Sequence, residues 1–204
     1  MFASTPPRAG DARPGPILGI DPGLSRCGYG AVERSGATFR ATSAGVIRTD
    51  PSWPLPERLA RLAAEFESLF DDIAPSAVVV ERVLFQVNAR TAISVGQASG
   101  LALAAAARRG LEVVQYSPNE VKLAVTGDGA ADKAGVQFMV TKLLRLAVAP
   151  DPPDAADALA LAICHAWRER TTQAVDAHDR ANEPRPGVGL SARIDAALAK
   201  QGRR

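Results

Sequence analysis

Ile17-Leu18-Gly19-Ile20-Asp21-Pro22-Gly23 decides how the rest of the chain is read. Four apolar or small residues precede one carboxylate, and Pro-Gly follows. That is the pattern of a short buried strand closed by a tight turn, because Pro presets φ and Gly tolerates φ > 0. Asp21 then stands at a strand end near the middle of a sheet, where an unpaired charge is costly. A metal ion is a common partner for such a group. A turn-forming Asp that bonds its own backbone fits this stretch equally well, so the choice falls to the remaining sequence.

Upstream, residues 1–16 are rich in Pro, Gly, Ala and Arg without periodicity, and are expected to be a disordered extension. Downstream, residues 28–33 and 39–48 read as two further strands, the second broken near Gly45. Pro56 opens a helix in which Leu59, Leu62, Ala63, Phe66, Leu69, Phe70 and Ile73 recur on one face. Ala77-Val78-Val79-Val80 is a continuous apolar run, as in a strand buried on both faces. Like the first strand, it ends on a carboxylate, Glu81.

Residues 88–109 read as a helix with Gly96, Gly100 and Ala104 at spacing four, and residues 111–116 as a strand. Ser117-Pro118-Asn119-Glu120 is a capping box with Pro at the first helical position. Residues 126–131, with two glycines, are expected to form a mobile loop, residues 133–146 a helix, and a last helix is expected from about Asp154 to about Arg168. Three antiparallel strands, a helix, a buried strand, a helix and another strand predict a mixed sheet covered by helices. That order fits an α/β, ribonuclease H-like five-stranded sheet, or half of an actin-like ATPase domain. One domain is expected over residues 17–170, followed by a polar tail over 171–204, largely disordered.

The 204 residues suffice for one such domain, and 23% charged with 47% apolar residues is ordinary globular usage. Net charge is only +2, but it is uneven: residues 82–145 hold eight Lys/Arg against four Asp/Glu, and residues 1–81 hold eight against ten. A basic middle beside an acidic cluster suits a polyanionic substrate meeting bound cations. Cys27 and Cys164 have no Cys-x-x-Cys partner, which disfavours a disulfide scaffold or a zinc site. No apolar run approaches the roughly 18–20 residues of a membrane span, and the N-terminus lacks a signal-peptide core. A soluble, cytoplasmic protein without membrane contact is expected.

Four carboxylates stand out. Asp21 and Glu81 end apolar strands, and Asp154 and Asp157 lie one turn apart at a helix start, on one face about 5–6 Å from each other. Their neighbours Ala155, Ala156, Ala158 and Leu159 mark a buried surface. The helix dipole offsets only about 0.3–1 kcal/mol for each, less than the cost of desolvating two like charges, so a cation between them is the natural reading. Asp154 could also serve as an N-cap. Oxygen ligands without His or Cys favour Mg²⁺ or Mn²⁺, and three or four such acids are what two-metal phosphodiester hydrolysis needs.

Together with Gly28-Tyr29-Gly30, Val80-Glu81, Gly96-Gln97-Ala98 with Gly100, and Asp154-Ala155-Ala156-Asp157-Ala158-Leu159-Ala160, the opening motif resembles the RuvC family of bacterial Holliday-junction resolvases. The resemblance runs from about Ile17 to Trp167, in order and with compatible spacing. It implies a ribonuclease H-like fold, a homodimer, and cutting of four-way junction DNA in recombination and repair, with two Mg²⁺ per active site, replaceable by Mn²⁺. It also implies a branch-migration complex as partner. On this resemblance the catalytic, metal-binding acids fall on Asp21, Glu81, Asp154 and Asp157, and Lys122 and Lys133 contact DNA near the scissile phosphate. Relatives often carry a base-stacking aromatic three residues beyond the glutamate. Here Leu84 holds that position and Phe85 follows it, so Phe85 stacks on a base, Leu84 acts as a wedge, or both pack in the core. Arg82 and Arg90, flanking this segment, are further candidate DNA contacts.

His165 comes eight residues after Asp157, about 12 Å along a helix, too far to share its metal. It reads as a partly exposed surface residue, and the two cysteines as small core residues. The competing readings are a ribonuclease H-like nuclease processing ribosomal RNA precursors, an actin-like ATP-binding module, and a protein without activity. The actin-like reading needs a second strand turn of the opening type and about twice the length.

Overall fold

The two apolar runs that end in carboxylates become neighbouring strands. The computed structural model describes residues 15–36, 38–83 and 89–182. β1 (Ile17–Asp21) pairs in parallel with β4 (Ala77–Glu81), with Ile20 opposite Val80, so both carboxylates emerge at the same sheet edge. On its other side β1 pairs antiparallel with β2 (Arg26–Ser35), which pairs with β3 (Thr38–Arg48). β5 (Glu112–Tyr116) adds in parallel beyond β4, giving the order β3-β2-β1-β4-β5. Sequence and structure agree on five strands in a mixed sheet. β3 is not broken at Gly45; the irregularity falls instead in the β2–β3 register at Ala31/Val32.

Each face of the sheet carries its own apolar cluster. On one, α1 (Leu55–Ile73) and α2 (Ala89–Arg108) cover Leu18, Ile20, Val78 and Val80 with Leu62, Phe66, Phe70, Ala98, Ala102 and Ala106. Arg109 ties these helices together: it donates to the Glu67 carboxylate and to Asp71 at 2.6 Å, and lies 5.4 Å from the Phe70 ring centroid. On the other face, α3 (Pro118–Thr126), α4 (Lys133–Leu143) and the part of α5 (Pro153–Asn182) up to Trp167 pack over Ile17, Val32 and Val79. The Ser117–Glu120 capping box forms as the sequence predicts.

Three sequence expectations change. His165 is buried and shares a 2.9 Å hydrogen bond through Nδ1 with the Tyr116 hydroxyl. Counted from Ala158 rather than from Asp157 it falls at i+7, on the buried stripe of α5. Residues 126–131, expected as a loop, carry local hydrogen bonds that the sequence reading did not foresee: Thr126 Oγ1 donates to Lys122 O at 2.8 Å, and the Ala130 amide to Asp128 Oδ1 at 2.8 Å. Finally, the chain divides into two units after Trp167, and residues 168–182 of the second are helical, beyond the expected helix end near Arg168. Residues 1–14 and 183–204, and with them most of the expected extensions, lie outside the described residues.

Candidate active site

Asp21 and Glu81 reach the sheet edge because Ile17–Ile20 and Ala77–Val80 are buried on both faces and run side by side. α5 brings the other two acids to them, and glycine lets it do so. A Cβ on Gly19 would stand 1.9 Å from Ala158 O, and one on Gly28 2.1 Å from Asp154 O. Only a bare backbone on β1 and β2 admits the helix this close. Asp154 and Asp157 are therefore delivered against the ends of β1 and β2 by the part of α5 that is almost wholly apolar, residues 155–164.

A cleft of about 270 Å³ is lined by Asp21, Glu81, Asp157, Lys122 and Lys133, with Pro118, Val121, Val136 and Ala160 as apolar wall. Lys122 comes from the middle of α3. Lys133 is the first residue of α4, placed there by Asp132, whose Oδ1 accepts the Gly135 amide at 2.8 Å. Lys133 Nζ donates to Asp157 Oδ2 at 3.4 Å. Asp154 does not line this cleft, and its carboxylate is held by Arg26. Three of the four acids thus face the cleft, and Asp154 stands outside its lining.

Negative charge is in excess here. Burial first, and then the charges of Glu81, Asp157 and Asp154, push Asp21 up to about 7, with Lys133 opposing. Burial and Asp157 raise Glu81 too, against Lys133 and Lys122. Asp157 in turn raises Lys133, which stays a cation. Such a group of oxygen donors, short of positive charge, fits hard divalent ions. Cys27, buried beneath the site, is pushed up to about 12 by desolvation and is inert as a nucleophile.

Of the residues singled out in the sequence, the structure thus brings together Asp21, Glu81, Asp157, Lys122 and Lys133, with Asp154 alongside. Arg82 turns to β5 and α3, donating to Gln115 O at 3.0 Å and lying 4.0 Å from the Glu120 carboxylate. Leu84 and Phe85 fall outside the described residues, and Arg90 is in the first turn of α2. Sequence reasoning missed Arg26. A cation opening a strand looks like any solvated residue, and only the Gly28 contact reveals which helix turn it faces.

The sequence matches the family model described as crossover junction endodeoxyribonuclease RuvC over residues 17–165. A protein of that name from Rhodococcus opacus is 47% identical over 189 residues, 92% of each chain. One from Streptomyces griseus is 52% identical over 167 residues, 79% of this chain and 82% of the relative. Among solved structures, Thermus thermophilus RuvC in complex with a Holliday junction substrate matches with a TM-score of 0.74 at 38% identity, covering 78% of this chain and 97% of that one. The matched residues 17–165 take in all five strands, both carboxylate-ended strands among them, and the part of α5 that carries Asp154 and Asp157: the chain belongs to the RuvC family of crossover junction endodeoxyribonucleases.

Proposed function

We propose that the chain is a structure-selective endonuclease that resolves four-way DNA junctions by paired nicks, hydrolysing one phosphodiester on each of two opposed strands. The observation that carries this reading is the single cleft in which Asp21, Glu81 and Asp157 face Lys122 and Lys133. The all-oxygen donor set suits Mg²⁺ and accepts Mn²⁺. Asp21, Glu81 and Asp157, with Asp154 beside them, would hold two such ions, which when bound supply an activated water and stabilise the departing 3′ oxygen.

The chain's own residues do the rest. Lys122 and Lys133, on separate helices but lining the same cleft, attract the scissile phosphate and hold it at the acids. Asp157, fixed by the apolar packing of α5, orients Lys133 through their contact. Val121, Val136 and Ala160 lower the local dielectric, which strengthens each of these interactions. By the family resemblance Leu84 or Phe85 would meet a base beside the scissile phosphate, where stacking contributes about 1–3 kcal/mol, and Arg82 and Arg90 would contact the DNA backbone.

A four-way junction is two-fold symmetric, so the working unit in this reading is a homodimer with two opposed sites. The stripe of Gly96, Gly100 and Ala104 on α2 is exposed, and neither glycine has any neighbour within 4 Å of a would-be Cβ. A second copy can approach such a surface closely. No helix among the described residues is long and apolar enough to cross a membrane, which is compatible with action on DNA in the cytoplasm alongside a branch-migration complex.

The test is a substrate panel: a synthetic four-way junction, its constituent duplexes and a structured RNA, each with Mg²⁺, Mn²⁺ or chelator. Symmetric nicks confined to the junction, and lost in chelator, are expected. Equal cutting of duplex, or preferential cutting of RNA, would overturn the reading in favour of a general or ribosomal-RNA-processing nuclease.

A further inference from the structure

Two of the four acids carry an ion pair, and their partners differ: Asp157 meets the Lys133 ammonium inside the cleft, whereas Asp154, outside the cleft lining, meets a guanidinium. The Arg26 guanidinium donates to its Oδ2 and forms its ion pair. The placement is built into the fold. Arg26 is the first residue of β2, and the turn before it is pinned from two sides: Thr49 Oγ1 donates to Leu24 O at 2.5 Å, while Arg58 donates to Ser25 Oγ at 2.5 Å and to Thr49 Oγ1 at 3.0 Å. Two residues along the same strand face, Gly28 admits the first turn of α5. Across the ladder Arg26 lies opposite Arg48, an exposed cation. Like charges directly opposed on neighbouring strands repel, so Arg26 needs an anion. In the DNA-free protein that anion is Asp154.

The guanidinium occupies Oδ2 of Asp154, and its charge opposes a divalent ion at the same carboxylate. We infer that Arg26 is a positioning residue: it is the resident counter-ion of Asp154, and exchanges that carboxylate for a backbone phosphate of bound DNA, releasing Asp154 to the divalent ion. The guanidinium fork matches carboxylate and phosphate alike. Side-chain exposures of 44% for Arg26 and 24% for Asp154 leave the pair open to solvent, so the exchange requires no core rearrangement. Arg48, on the same side, disfavours any state in which Arg26 has lost one anion without gaining another. Substrate binding and metal loading are thereby coupled. This inference rests on the proposed role of Asp154 toward the metal.

The experiment uses the full chain without DNA. Mn²⁺ binding is titrated by the loss of the free-ion electron paramagnetic resonance signal in wild type, Arg26→Gln, Arg26→Lys and Asp154→Asn, with melting curves to establish folding. In parallel, junction binding is followed across a salt series in Ca²⁺. Removing the competing cation in Arg26→Gln is expected to tighten Mn²⁺ binding about fivefold, of the order of one exposed ion pair, and to lower the slope of log K against log salt by about one. Arg26→Lys, which keeps the charge but loses the fork, is expected to retain the slope and tighten Mn²⁺ about twofold, and carries the test if the Gln variant does not fold. Unchanged or weaker Mn²⁺ binding in these variants, or an unchanged slope in Arg26→Gln, overturns the exchange and leaves Arg26 a structural strut. If Asp154→Asn binds Mn²⁺ as wild type does, the metal role of Asp154 fails and this inference with it; if only Asp154→Asn changes binding, the exchange alone fails.

Discussion

Asp21 is ordinary in composition and extraordinary in position. Its carboxyl is raised from an ordinary 3.8 to about 7 by burial and by three like charges. The folded, metal-free chain therefore keeps a proton that the unfolded chain has released between these two values. Stability in chelator should fall as pH rises from about 4 through about 7 and level off above, by up to roughly 4 kcal/mol for a shift of this size. Mg²⁺ should restore it at pH 8. Melting curves at pH 5 and pH 8, with and without metal, check the sign; a protein in chelator that is more stable at pH 8 than at pH 5 would contradict it. Lys133 acts on phosphate at the same scale: Lys133→Ala should slow single-turnover cleavage about 10²-fold or more with the melting temperature little changed. At this scale the sequence was highly legible, because a lone carboxylate after an apolar strand run has few inexpensive explanations. His165 was misread for the opposite reason, since its surroundings are set by Tyr116, 49 positions away.

The elements follow from periodicity and caps, but their approach distances follow from glycine. The helix carrying Asp154 and Asp157 sits where it does because Gly19 and Gly28 present no Cβ, and no local pattern in β1 or β2 announces which helix will cross them. Gly28→Ala should force the first turn of α5 outward, costing about 1–3 kcal/mol of stability and displacing Asp154 from its place; thermal denaturation and junction cleavage should both suffer. Gly96→Ala, with open space around it, should instead stabilise the isolated fold by about 0.5–1 kcal/mol. At the start of α3, Ser117→Ala removes the acceptor for the Glu120 amide and should cost about 1 kcal/mol. That capping box was visible in four residues. The course of residues 126–131 was not, because two glycines give no hint of the hydrogen bonds that Thr126 and Asp128 make there.

At the scale of the molecule, the sheet order could be deduced from three antiparallel strands followed by two crossovers, whereas the number of chains in the working enzyme is read from the symmetry of its substrate. Light scattering at micromolar concentration should give twice the chain mass of 21.3 kDa, and Gly100→Leu should lower it without unfolding the chain, since nothing in the single chain meets a side chain there. A mass of one chain would contradict the dimer. The central claim, that the half-buried carboxylates at the sheet edge do the cutting through bound metal, is tested most directly by Asp21→Asn, which keeps the shape and removes the charge. With Mg²⁺ and a synthetic four-way junction, single-turnover cleavage should fall by about 10³-fold or more while junction binding in chelator stays within a few-fold of wild type. Cleavage near the wild-type rate would place the chemistry elsewhere.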